Sequence, residues 1–301
     1  MMQSGQELLE ASIVTLVFAL GLRTEPVPRG DRPGRWLVAR ALFAREVFVP
    51  LLVMSVLSMV GIGRQAILGA TLLAISPGIP IVLQREMRHR RNTALVFRTT
   101  ALGVLLSIVS VPFWLAVVSR FFVENASLMP LAVGRLVVLL FLLPFSAGIA
   151  MRRLAPRAMW QVSGPIMLVS NLLLLIASIV LFGDVAAAVT RLGARYTTAI
   201  VGVTAFALLV GDVAAGSRAP DRRTASLLCA ARHPGLALLV AQSNFGGDLV
   251  LPATMVSVVV GMLLTTPFAV WRSRRLVEDV PTRLELTPSA DPVVLSPPAG
   301  R

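Results

Sequence analysis

The sequence predicts an all-α polytopic membrane protein of about nine transmembrane helices, built as an inverted repeat with two discontinuous helices. Three observations predict this class. The chain of 301 residues is 56% hydrophobic and 14% charged, with a mean hydropathy of +0.80, whereas a soluble domain is roughly 45–50% apolar and about 25% charged. Its apolar residues gather in long runs, and about 20 residues of helix cross the ~30 Å of a bilayer core. Two of those runs, one in each half, are interrupted by a Pro-Gly pair: Pro77-Gly78 and Pro234-Gly235.

Bounded by charges or turn residues, the runs fall at 8–22, 37–60, 66–87, 93–119, 130–150, 158–182, 197–214, 224–243 and 249–271. The first starts after Glu7 and Glu10 with no positive leader and no small-residue cleavage site. It reads as a short first span, not as a secretory signal. The seventh is also short. The segment after Arg275 is polar and Pro-rich and is expected to be disordered. This divides the chain into a first repeat over 1–122 with four spans, a second over 123–275 with five, and a cytoplasmic tail over 276–301.

The basic residues set the orientation. All are Arg apart from two His, and they raise the net charge to +13. They lie in short clusters between apolar runs, a topogenic pattern, so no nucleic-acid partner is expected. Alternate connections hold Arg23, Arg29, Arg32 and Arg35; Arg88, Arg90 and Arg91; Arg152, Arg153 and Arg157; and Arg218, Arg222 and Arg223, with Arg272, Arg274 and Arg275 after the last span. The opposite connections hold Arg64, Arg120, Arg191 and Arg195. Positive-inside bias then places the N-terminus outside and the C-terminus in the cytoplasm. The Arg-only usage with abundant Ala, Val and Leu suggests a GC-rich bacterial genome, hence an inner (plasma) membrane. The single Cys229 excludes a disulfide framework and a multi-cysteine metal site within one chain.

The interrupted runs carry the repeat. Each break is followed by one long run that ends in Pro-Phe, Pro112-Phe113 and Pro267-Phe268, with similar spacing in the two halves. Five spans separate the breaks, so the two broken helices run in opposite directions, as in inverted-repeat transporters. Pro removes a backbone donor and clashes with the preceding turn, while Gly relaxes the backbone. Backbone groups freed in this way are tolerated at membrane depth only where they face protein, water or a ligand. A lone proline kink is the alternative for either break. The matched pair points to a binding site.

The chain resembles the bile acid:sodium symporter family, within the bile/arsenite/riboflavin transporter superfamily. The resemblance is carried by Gly21-Leu22-Arg23, Phe48-Val49-Pro50, Ser76-Pro77-Gly78 with Asn92-Thr93-Ala94-Leu95, Arg223-Thr224-Ala225-Ser226, and Arg232-His233-Pro234-Gly235-Leu236-Ala237. It implies that spans three and eight are crossed discontinuous helices. It also implies a core of spans two, three, four, seven, eight and nine against a panel of one, five and six, with the first family span missing. Sodium-using members carry Glu, then Gln four residues later, then Asn, before the second Gly-Leu-Ala; here these are Leu228, Arg232 and His233. The family's Ser-Asn pair after the first break falls on Val82 and Leu83, a further Ser on Val96, and the Gln of span two on Arg45, while Thr100 is retained. Sodium needs oxygen ligands, so both sodium sites look dismantled. Arsenite is not expected either, since no Cys lies near Ser76.

Charges inside spans are costly, about 2.5 to over 10 kcal/mol near the bilayer centre, and functional by default. Arg45, Glu46, Arg98 and Arg232 qualify. In the functional reading a guanidinium stands in the place of the bound cation with Glu46 as counter-charge; in the alternative Arg45 and Arg98 snorkel to the headgroups. His233 beside the second break offers a proton-coupling group or a plain packing role. The candidate substrate and ion region is therefore Arg45, Glu46, Ser76, Pro77, Gly78, Pro80, Thr100, Arg232, His233, Pro234 and Gly235. No metal, cofactor or catalytic set is expected. The leading function is a secondary transporter of a small organic, anionic or amphipathic, solute by alternating access, without the family's sodium coupling. The alternatives are a sodium-dependent organic anion symporter and a non-transporting sensor or partner-binding protein on the same scaffold.

Overall fold

The structure, a computed structural model, describes residues 2–23, 34–77, 93–122, 134–135, 137–181, 185–244 and 249–285. Among these the chain is helical, with no strand: an all-α polytopic membrane protein. Helix α1 spans Met2–Leu22 and α2 spans Arg35–Met59, interrupted by a wide π turn at Ala44–Phe48. Then follow α3 (Arg64–Ile75), α4 (Thr93–Phe122), α5 (residues 138–154, opening with a π turn at Val138–Leu142) and α6 (Pro156–Leu181). The last four are α7 (Val185–Ala214), α8 (Ala219–Ala230), α9 (Pro234–Asn244) and α10 (Val250–Glu285).

Six of the nine expected spans are described as helices long and apolar enough to cross a membrane, with α8 and α9 together counting as one of them, Ala219–Gln242. The three others differ for identifiable reasons. Glu7 and Glu10 dilute the apolar run of α1. α3 ends at Ile75, and the rest of the expected third span, with Gly78 and Pro80, lies outside the described residues. The described part of α5 is a short helix ending at Leu154. Two corrections concern lengths. The seventh span is not short: α7 has 30 residues and absorbs Arg191 and Arg195 by kinking at Gly193 (φ 75°, ψ 167°), angles that favour glycine. The last helix runs to Glu285, ten residues into the expected tail, because Leu276, Val277, Val280 and Leu284 continue a helical spacing.

α1 packs on α5 and α6. Lipid offers no hydrophobic drive between helices, so close approach and polar pairs set such contacts. A Cβ at Gly148 would collide with the backbone of Phe18 and Gly21, so α1 and α5 touch backbone to backbone. Ser12 and Ser170, both fully buried, each donate to the other's carbonyl oxygen, at 3.0 and 2.8 Å, and join α1 to α6. The remaining helices pack around α3, α7 and α10. Asp212 ties three of them together: it accepts from Arg222 Nε at 3.0 Å and pairs with Arg272, linking α7, α8 and α10. The two groups meet where Ile13 of α1 lies against Gly235, the second residue of α9.

Candidate transport site

The site begins with a backbone fault in α2. In the π turn, Val49 N–H donates five residues back, to the Ala44 carbonyl. The next residue is Pro50, which has no N–H. It is the residue whose amide would serve Arg45 O in a π pattern and Glu46 O in an α pattern, so neither carbonyl receives its bond from there. Side chains from elsewhere take over. Trp114 Nε1 of α4 donates to Glu46 O at 2.8 Å, and Arg232 Nη2, from the break between α8 and α9, donates to Arg45 O.

The side chains of the same turn form a charge cluster. Arg45 Nε stands 3.1 Å from Glu46 Oε1, and Arg232 Nη1 stands 3.9 Å from the same oxygen. Ser110 Oγ donates to Glu46 Oε2 at 3.4 Å. The three charged side chains are 2%, 8% and 3% exposed, so neither Arg45 nor Arg232 snorkels. α4 makes room with Gly103, where a Cβ would lie 3.3 Å from Arg45 Nη1. Two guanidiniums and one carboxylate give the trio a formal charge of +1.

On the other side of Arg232 is a cavity of about 150 Å³. Its walls come from α2 (Val49, Val53), α3 (Ala70, Ala74), α7 (Ile200, Val203, Thr204), the break (Cys229, Arg232, Pro234) and α10 (Ser257, Thr265). The lining is mostly aliphatic, with a few hydroxyls and one guanidinium. Arg232 Nε and Nη1 have no hydrogen-bond acceptor among the described residues. Tyr196 braces the wall: its hydroxyl donates to Ala253 O at 2.9 Å and lies 2.8 Å from Ser257 Oγ.

The other sequence-derived candidates divide. Ser76 caps α3 and is fully buried, with Pro77 buried behind it. Thr100 is buried on α4, outside the cavity lining. His233 is buried; its Nδ1 accepts from Gly235 N–H at 3.2 Å, and its Nε2 has no partner among the described residues. Leu228 and Val96 are buried aliphatic side chains, while Val82 and Leu83 lie outside the described residues. Arg98 is half-buried on α4. Sequence reasoning missed Trp114, Tyr196, Thr204, Ser257 and Thr265. Tyr196 had a signal, being the single tyrosine of the chain beside an apolar run. The hydroxyls had none, since Ser and Thr are common in membrane helices.

A family model described as the Sodium Bile acid symporter family matches residues 31–192, more than half of the chain. The match includes Arg45, Glu46 and the end of α3 and stops before the second break. Among curated proteins none matches.

Proposed function

This chain belongs to the sodium bile acid symporter family, and on that premise we propose that it is a sodium-independent secondary transporter of a small organic anion. The observation that carries the reading is Arg232, a buried guanidinium bordering the cavity beside the break in the helix pair α8–α9. In sodium-using members the corresponding position carries a neutral ligand. A cation entering a site already at +1 meets repulsion, whereas one monovalent anion brings the group to neutrality and supplies the acceptor that Arg232 Nε and Nη1 lack. The aliphatic walls suit an apolar tail. A cavity of about 150 Å³ is comparable to an engineered one that admits benzene, so the solute that fits this state is far smaller than a steroid.

Transport follows by rocking the group α1, α5 and α6 against the helices around α3, α7 and α10, with the anion held at Arg232. The arginine clusters support an inner-membrane orientation with the N-terminus outside. His233, with Nε2 free of partners, is the group at which proton coupling is to be sought. The test is uptake of a panel of small labelled sulfonates and carboxylates into proteoliposomes, in sodium and in choline buffer, by wild type and Arg232→Gln. We expect equal uptake in both buffers and a loss of at least tenfold in the variant. Strict sodium dependence would sink the proposal. Saturable binding with no uptake would favour the sensor reading.

A further inference from the structure

On the outer side of the wall formed by α2 and α7 is a second, larger concavity. It measures about 640 Å³ and is lined by Trp36, Phe43 and Phe48 of α2 and by Phe206, Leu209 and Val213 of α7. Trp36 is 81% exposed and Val213 78%. The one charged group in the lining is Arg40, exposed and with no ion pair or side-chain hydrogen bond among the described residues. Its guanidinium lies against Gly216, in the turn after α7, Nη2 standing 3.8 Å from where a Cβ would be. The nearby carboxylate of Asp212 is already held by Arg222 and Arg272. Exposed Arg218 follows in the same turn. The rim of this apolar groove therefore carries positive charge that nothing described balances.

We propose that this groove is a binding site for one anionic phospholipid, with an acyl chain along the aromatic walls and the phosphate on Arg40. Trp36, Arg40 and Phe43 stand at i, i+4 and i+7 and so share one stripe of α2. Their order, from indole to cation to apolar ring, follows the passage from interface to hydrocarbon. The length also fits a lipid. From Trp36 to Phe48 the helix rises about 18 Å at ~1.5 Å per residue, close to one leaflet of a ~30 Å core and short of what a crossing partner helix covers. The occupant also touches the transport site from behind. Ala44, in the groove lining, opens the π turn that carries Arg45 and Glu46, and α7 presents Val203 and Thr204 to the cavity.

The test uses Trp36 as the reporter. Purified full-length protein in mixed micelles is titrated with brominated phosphatidylglycerol or brominated phosphatidylcholine, and the quenching that disappears in Trp36→Phe is assigned to the groove. We expect phosphatidylglycerol to quench this component at about fivefold lower mole fraction, the effect of one interfacial basic residue, and Arg40→Gln to make the two lipids equal. Equal quenching by both lipids in the wild type overturns the proposal, as does an unchanged preference in Arg40→Gln. Quenching by neither lipid also overturns it and indicates that protein, such as a second copy of the chain, covers the groove.

Discussion

Replacing Glu46 by Gln keeps the shape of the side chain and removes the only negative charge from a trio whose members are at most 8% exposed. The structure sets the size of the effect. At an effective permittivity of ~20, charges 3.1 Å apart attract by about 5 kcal/mol and charges 3.9 Å apart by about 4 kcal/mol. Much of this offsets desolvation, and breaking a buried pair by removing one partner costs about 3–5 kcal/mol net. Glu46→Gln should therefore destabilise the fold by that amount, leaving Arg45 and Arg232 to repel each other. Arg232→Gln should cost only about 1–2 kcal/mol, the worth of a charged hydrogen bond, because Glu46 keeps its closer partner Arg45. The double variant should be more stable than Glu46→Gln alone, since one of two uncompensated charges is gone. The assay is denaturant unfolding of the purified protein in mixed micelles, followed by tryptophan fluorescence, as a double-mutant cycle. If the two single costs add to within about 0.5 kcal/mol, the groups are independent and the reasoning is refuted. It is equally refuted if Arg232→Gln costs more than Glu46→Gln.

Three further outcomes follow from the same contacts. Trp114→Phe should cost about 1 kcal/mol by leaving the Glu46 carbonyl unpaired, and less in a Pro50→Ala background, where residue 50 regains an amide that can serve it; an equal cost in both backgrounds counts against the Pro50 account. Gly148→Leu forces α1 from α5 against backbone that cannot yield, and should cost at least the 1–3 kcal/mol typical of overpacking, read as a lost monodisperse peak in fluorescence-detected size exclusion. Thr204→Phe should fill much of the 150 Å³ cavity, abolishing uptake without lowering the thermal midpoint; undiminished uptake would place the solute elsewhere.

The legible parts of this protein were those in which a residue's own chemistry carries the message. Apolar runs announce helices in lipid because the cost of an unpaired backbone leaves little else. Pro234 and Gly235 announce a break, and the structure ends α8 at Ala230 and starts α9 at Pro234. Arg45, Glu46 and Arg232 stood out because a charge in a span is expensive, and all three are buried in one cluster. Arg191 and Arg195 misled for the same reason. Read as a boundary, they shortened the seventh span, whereas the kink at Gly193 lets the helix carry them. Asp212 was passed over because its partners, Arg222 and Arg272, lie 10 and 60 residues away in sequence.

By itself the sequence determined the membrane class, the places where helices break, the family resemblance and the replacement of the expected sodium ligands by Leu228, Arg232 and His233. These are additive or local properties: transfer into lipid is summed residue by residue, and a proline acts on its own turn. Only the tertiary structure decided that the carbonyl of Arg45 is capped from Arg232, 187 residues away, that Trp114 serves Glu46, and that a cavity lies beside the guanidinium. In hydrocarbon, apolar faces have no preferred partner. Which helices meet is settled by close glycine crossings and by polar groups that find each other at long range, and neither leaves a period in the sequence.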